Sequence, residues 1–142
     1  MYINRQSKES ISPLVVMCLG TRDTRKWFLE NLNRIRIQIH REVVYRFDNN
    51  CIIVHSFMSN RTLFLGGLVR TILEVIASRA GITFGEILTE LKRQHSSDVT
   101  SPEDIACLLY ELFLLSIIEV EVDNRKCYVV NESELYCDDY EN

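Results

Sequence analysis

The stretch SPEDIACLLYELFLL, Ser101 to Leu115, followed by IIEVEVDNRKCYVV, Ile117 to Val130, decides the fold class. Ser101 is a favoured helix N-cap, Pro102 brings a pre-set φ to the first helical position, and Asp104 lies in the first turn. The helix runs to about Leu115. Ile117–Val122 and Arg125–Val130 then read as strands, and Asp123-Asn124 between them is the type of dipeptide that closes a tight hairpin.

Two more helices precede this unit. Thr83 with Glu86 three residues on is a capping box, and it opens a helix over Phe84–Gln94. Phe84, Ile87, Leu88 and Leu91 form its apolar stripe, and His95–Thr100 is a polar loop. Upstream, Leu65, Leu68, Val69, Ile72, Leu73, Val75 and Ile76 predict a helix from Leu63 to Arg79, with Gly81 as its C-cap. Three helices followed by a hairpin is the order of a winged helix, the hairpin being the wing.

The N-terminal part reads differently. Met1 to Ser12 is a polar arm, and Leu14–Leu19 is an apolar run that suits a strand or a helical turn. Asp23 or Thr24 is the candidate cap of a helix reaching about Ile35, since Trp27, Phe28, Leu32, Ile35 and Ile39 follow helical spacing. Ile35–Ile39 also alternates as a strand does. Val43–Phe47 and Cys51–Phe57 read as a β-hairpin about Asp48-Asn49-Asn50, residues that tolerate a left-handed backbone. The expected architecture is α+β: an N-terminal basic α/β extension (1–62), a C-terminal winged helix (63–130) and an acidic tail (131–142).

Composition agrees with a folded chain. Of 142 residues, 46% are apolar and 25% charged, which excludes a disordered or low-complexity chain. No uncharged apolar run approaches the roughly 20 residues of a membrane span. The net charge of -4 hides an asymmetry: residues 1–62 carry +5 and residues 63–142 carry -9. Two surfaces with different partners are expected. The cysteines are Cys18, Cys51, Cys107, Cys127 and Cys137, an odd count with no C-x-x-C pair, and all but Cys137 lie in apolar stretches. With no apolar leader at the start, this pattern favours a reducing, cytoplasmic setting in which the thiols pack as small hydrophobes.

Winged helices most often read DNA with the third helix in the major groove. Pro102–Leu115 has no Lys, Arg, Asn or Gln, whereas Glu103, Asp104 and Glu111 would repel phosphates. The same helix is apolar around most of its circumference, so it needs a second cover. That cover is either the N-terminal half of the chain, or a protein partner or second copy docking on Leu108, Leu109, Leu112 and Phe113. Basic residues lie elsewhere. Arg22, Arg25, Lys26, Arg34, Arg36 and Arg41 lie on or near the first helix, Lys92, Arg93 and His95 at the end of the second winged-helix helix, and Arg125 and Lys126 at the wing. Of these, Arg22, Arg25, Lys26, Lys92, Arg93, Arg125 and Lys126 are the candidate nucleic-acid contacts. A scattered basic face is more often plain solvation.

Catalytic signals are weak. His40, His55 and His95 fall in no metal-binding spacing, so no metal or cofactor is expected. Cys51 and His55 share a strand face about 13 Å apart, too far for a nucleophile–base pair. Gly66-Gly67 lacks the Lys-Ser/Thr of a phosphate loop. Enzymatic activity, with His55, Cys51 and Asp23 converging on a pocket, is the weakest reading.

Three segments carry a family likeness: Ser59-Asn60-Arg61-Thr62-Leu63-Phe64-Leu65-Gly66-Gly67-Leu68, Ile87-Leu88-Thr89-Glu90-Leu91, and Leu108-Leu109-Tyr110-Glu111-Leu112-Phe113-Leu114-Leu115-Ser116-Ile117-Ile118. Over residues 59–130 the chain resembles the winged-helix middle component of bacterial ABC-three-component systems, and it is similar to the winged-helix subunits that accompany SMC-type ATPases. Ser116 stands where that pattern has a helix-ending glycine. The resemblance implies a non-catalytic adaptor linking an SMC-like ATPase to an effector in anti-phage or anti-plasmid defence, with DNA reached through the complex. The alternative from the same fold is a DNA-binding transcriptional regulator.

Overall fold

The computed structural model describes residues 14–18, 21–94, 101–130 and 134–138. The polar arm, the His95–Thr100 loop and the final four residues lie outside them. The described elements run β1 (Leu14–Cys18), α1 (Thr21–Glu30), β2 (Arg36–Ile39), β3 (Val43–Phe47), β4 (Cys51–Ser56), β5 (Arg61–Gly66), α2 (Gly67–Ser78), β6 (Ile82–Thr83), α3 (Phe84–Gln94), α4 (Pro102–Leu114), β7 (Ile118–Val122), β8 (Arg125–Val130) and β9 (Glu134–Asp138). The fold is α+β, with two antiparallel sheets among the described residues. The larger has the order β1-β9-β8-β7-β2-β6 and the smaller β3-β4-β5.

The local signals of the second half form as expected. The Thr83 N–H donates to Glu86 Oε1 at 3.0 Å and the Glu86 N–H to Thr83 Oγ1 at 3.2 Å, closing the capping box. Ser101 Oγ accepts the Asp104 N–H at 3.2 Å. Asp123 and Asn124 both have positive φ, 52° and 66°, as a two-residue hairpin turn requires. Ser116 is also left-handed, with φ 62°. Its hydroxyl donates to the Val129 carbonyl at 2.7 Å, which ties the end of α4 to β8.

Several expectations are corrected. The helix from Asp23 to Ile35 starts at Thr21 and stops at Glu30, so Asp23 and Thr24 lie inside it. The Asn31 side chain bonds back to the Trp27 carbonyl at 2.8 Å and the chain turns. The alternation of Ile35–Ile39 then prevails over helical spacing, because β2 finds β7 as a strand partner, with Gln38 opposite Glu119 and Ile39 opposite Ile118. Leu63–Gly66 is not helical: it belongs to strand β5, and α2 begins only at Gly67, whose φ of 61° suits glycine. Leu63 and Leu65 are cross-strand partners of the buried Val54 and Ile52, which fixes the segment as a strand. The turn at Asp48–Asn50 needs no left-handed residue. Gly81 has φ 77°, but its N–H bonds to the Ile37 carbonyl at 3.1 Å, so it links β6 to β2.

The expected boundary at 62/63 falls inside β5, and part of the expected tail, Glu134–Asp138, is strand β9 between β8 and β1. One hydrophobic core draws on both sides of that boundary, from Phe28, Ile35 and Ile52 to Leu109, Phe113 and Val129. The strand alternation divides the larger sheet into two faces. Ile37, Ile118, Val120, Cys127, Val129, Leu135 and Cys137 join the core, whereas Gln38, Glu119, Lys126, Tyr128, Tyr136 and Asp138 lie on the other face.

Candidate functional site

The apolar surplus of α4 is covered within the chain. Leu109, Leu112 and Phe113 are fully buried. The Phe28 ring packs 5.0 Å from Phe113 and 5.8 Å from Tyr110, and Trp27 stacks on Phe113 at 6.1 Å. These three leucine and phenylalanine positions are therefore core residues and present no docking surface, and Leu108 alone of the four is partly exposed. Glu103, Asp104, Cys107 and Glu111 occupy the exposed side of the helix.

The basic candidates are spread over α1, α3 and β8. Arg25 lies 5.8 Å over the Tyr110 ring and reaches Cys107 Sγ at 3.8 Å. Lys26 faces Glu30 at 4.0 Å, Arg93 pairs with Glu90, and Lys126 lies 3.8 Å from Glu119. The bonds from Arg93 and Gln94 hold the Glu90 carboxyl below its ordinary range. Lys92 and Arg125 are on separate elements, α3 and β8. Arg22 lies in α1 with its side chain outside the described part, as does the whole of His95. Asp23 is exposed in α1, whereas Cys51 and His55 lie on β4. His55 Nδ1 lies 2.7 Å from Thr62 Oγ1, its cross-strand neighbour.

Instead, the structure gathers a surface that the sequence reading missed. On the outward face of the small sheet, Arg46, Ile53 and Phe64 form one cross-strand row, and Val44, His55 and Thr62 form the next. Phe57 follows on the same side, its ring 4.7 Å from His55. Phe64 is 68% exposed, Phe57 59% and Val44 55%, values that mark an apolar face left in water. The cost of that exposure gives the face its binding potential. The alternation of Ile52, Val54, Leu63 and Leu65 into the core forces their neighbours outward.

A second cluster sits on the far side of the larger sheet. Glu119 is fully buried there. Arg41 Nε donates to its Oε1 at 3.2 Å, and Gln38 Nε2 donates to Oε2. Arg41 also reaches Asp138 at 3.2 Å, bridging β7 and β9. Burial opposes the charge on Arg41, but Glu119 and Asp138 more than offset it and hold the guanidinium above its ordinary range. Burial pushes the Tyr128 phenol up to about 12, reinforced by Asp138. His40 is buried beside Glu119. Its pKa is lowered to about 4, chiefly by burial, against the attraction of Glu119. The ring is therefore neutral at pH 7, and the 4.0 Å approach of Nε2 to Glu119 is no ion pair. Nδ1 accepts the Glu42 N–H at 2.9 Å, which leaves the hydrogen on Nε2 without an acceptor among the described residues.

The thiols also depart from expectation. Cys127 and Cys137 are opposite one another on β8 and β9 and form a disulfide in the core, so they are not two independent small hydrophobes. Cys51 and Cys107 are free. Among the described residues, no cluster of three or more His, Cys, Asp or Glu side chains could hold a metal ion, and no helix is long and apolar enough to cross a membrane. No protein-family model matches the chain, and no curated protein matches it.

Proposed function

We propose that the chain is a non-catalytic adaptor that docks a protein partner on the outward face of the β3-β4-β5 sheet. The observation that carries this reading is the exposure of Val44, Phe57 and Phe64 on one face of the small sheet, around the half-buried Ile53 and beside Arg46. Aromatic residues and arginine are enriched at the energetic centres of protein interfaces. The resemblance of residues 59–130 to the middle component of ABC-three-component systems supplies the partner class, an SMC-like ATPase, with an effector held in the same complex. In this reading α2, α3, α4 and the β7–β8 hairpin act as a winged helix. The strand β2 lies between the short strand β6 and the hairpin.

A transcriptional regulator reading DNA finds less support. The exposed side of α4 carries carboxylates, and Lys26, Arg93 and Lys126 already face carboxylates of their own chain. Affinity purification with the wild-type chain and a Phe64→Glu variant separates the two readings. The adaptor reading expects a coiled-coil ATPase with the wild type and its loss with the variant. Retention of the ATPase by the variant, or no ATPase with either, overturns it. Steep salt-dependent binding to duplex DNA by the isolated chain would favour the regulator.

A further inference from the structure

Strand β3 is an open edge: among the described residues β4 is its only strand neighbour. Hydrogen bonds at its two ends fix which groups face outward. The Phe57 N–H donates to the Glu42 carbonyl at 2.8 Å, and the Asp48 N–H donates to the Cys51 carbonyl at 2.8 Å. Antiparallel alternation then directs the backbone groups of Val44 and Arg46 at β4, and turns those of Tyr45 and Phe47 to the open edge. Val43 offers only its carbonyl there, because its N–H is bonded to the His40 carbonyl at 3.0 Å. Edge strands are normally blunted by lysine, proline or a bulge. The sequence Val43-Val44-Tyr45-Arg46-Phe47 has no lysine or proline, and its register against β4 runs without a bulge. Four of its five residues, all but Arg46, are of types that favour strands, and Arg46 is its one charge.

We propose that β3 pairs antiparallel with β3 of a second copy of this chain, about a two-fold axis at Tyr45. In this register both backbone groups of Tyr45 meet those of its counterpart, and the Phe47 N–H reaches the Val43 carbonyl of the second copy. Val44 lies opposite Arg46. A shift toward the C-terminal end places Arg46 opposite Arg46, and like charges directly opposite destabilise a sheet. A shift the other way, about Val44, leaves Phe47 unpaired and keeps only the two bonds from the Tyr45 N–H to the Val43 carbonyl, half the number of the Tyr45-centred register, in which the Val43 N–H is likewise unused. Closed two-fold dimers are the commonest homo-oligomers. The pairing joins the two small sheets into one continuous sheet with two outward apolar faces side by side. The dimer does not depend on the adaptor reading, but it would make such an adaptor bivalent.

Sedimentation velocity on the full chain over a concentration series tests the proposal. A species of twice the chain mass is expected. Val44→Glu faces Arg46 of the second copy and should tighten the dimer several-fold, whereas Val44→Lys should weaken it several-fold. Position 44 is exposed, so neither change touches the core. Tyr45→Pro removes the outward N–H, and with it the ring that packs edge-on against Phe47, and should give a monomer that still melts cooperatively. Phe64→Glu, on the opposite edge strand, should leave the dimer intact while abolishing partner docking. A monomer at all concentrations overturns the proposal. So does a dimer that both Val44 variants weaken, which denies the register, or one that Phe64→Glu dissociates, which places the contact on the docking face.

Discussion

Ser116 holds a left-handed backbone without being glycine, and it does so because its hydroxyl is used. The φ of 62° costs a non-glycine residue on the order of 1 kcal/mol, and the 2.7 Å bond to the Val129 carbonyl returns a similar amount. Ser116→Ala keeps the strain and loses the bond, so it should cost about 1–2 kcal/mol in urea unfolding. Ser116→Gly loses the bond but relieves the backbone, so it should cost less than the alanine variant. This order reverses the one expected inside a helix. His40 gives a second prediction. Its folded pKa of about 4 lies below its ordinary 6.5, so the unfolded chain takes up the proton first as pH falls. Stability should therefore decline between pH 6.5 and 4, by on the order of 3 kcal/mol from this residue alone. His40→Asn keeps an acceptor for the Glu42 N–H and should flatten that part of the wild-type pH profile of urea midpoints.

Between elements, α1 is the cover that α4 requires. Phe113 is enclosed by Trp27 and Phe28, so Phe113→Ala should cost about 3–5 kcal/mol, whereas partly exposed Leu108→Ala should cost about 1 kcal/mol. A thermal-melt comparison of the two variants checks this. Equal, small losses would mean that α1 does not seal the helix. The capping box at Thr83 and Glu86 was legible in the sequence because its partners are three residues apart, and so were the α4 cap and the β7–β8 turn. Strand β5 was not legible. Its outward Phe64 is as apolar as its inward Leu63 and Leu65, so the alternation that marks a half-buried strand is absent, and the exposed face went unread with it. The segment Ile35–Ile39 fitted two periods at once, and only its pairing with β7 decided between them.

Across the whole molecule, the Cys127–Cys137 disulfide clips β9 to β8. Neither cysteine suggested the other in the sequence, because the register that opposes them exists only once the acidic segment Glu134–Asp138 is a strand. With a sequence separation of 10, closing this loop should contribute about 3 kcal/mol. Addition of a dithiol reductant should lower the urea midpoint accordingly. The Cys127→Ser/Cys137→Ser double variant should match the reduced protein and show no further response to reductant. The charge asymmetry of the chain was also legible, but its meaning shifted. Basic and acidic halves do not form separate bodies, since Arg41 from the first half neutralises Glu119 and Asp138 from the second within one sheet.

The place of β1 in that sheet governs how the protein is made. Its described strand neighbour is β9, with Leu14 opposite Asp138 and Cys18 opposite Glu134. Among the described elements this segment is synthesised first and its pairing mate last. Closing so long a loop is slow, and it cannot begin until β9 has been synthesised. Until then, Leu14–Cys18 is an apolar segment without its strand pair. This is a natural target for chaperone capture and a weak point for aggregation of nascent chains.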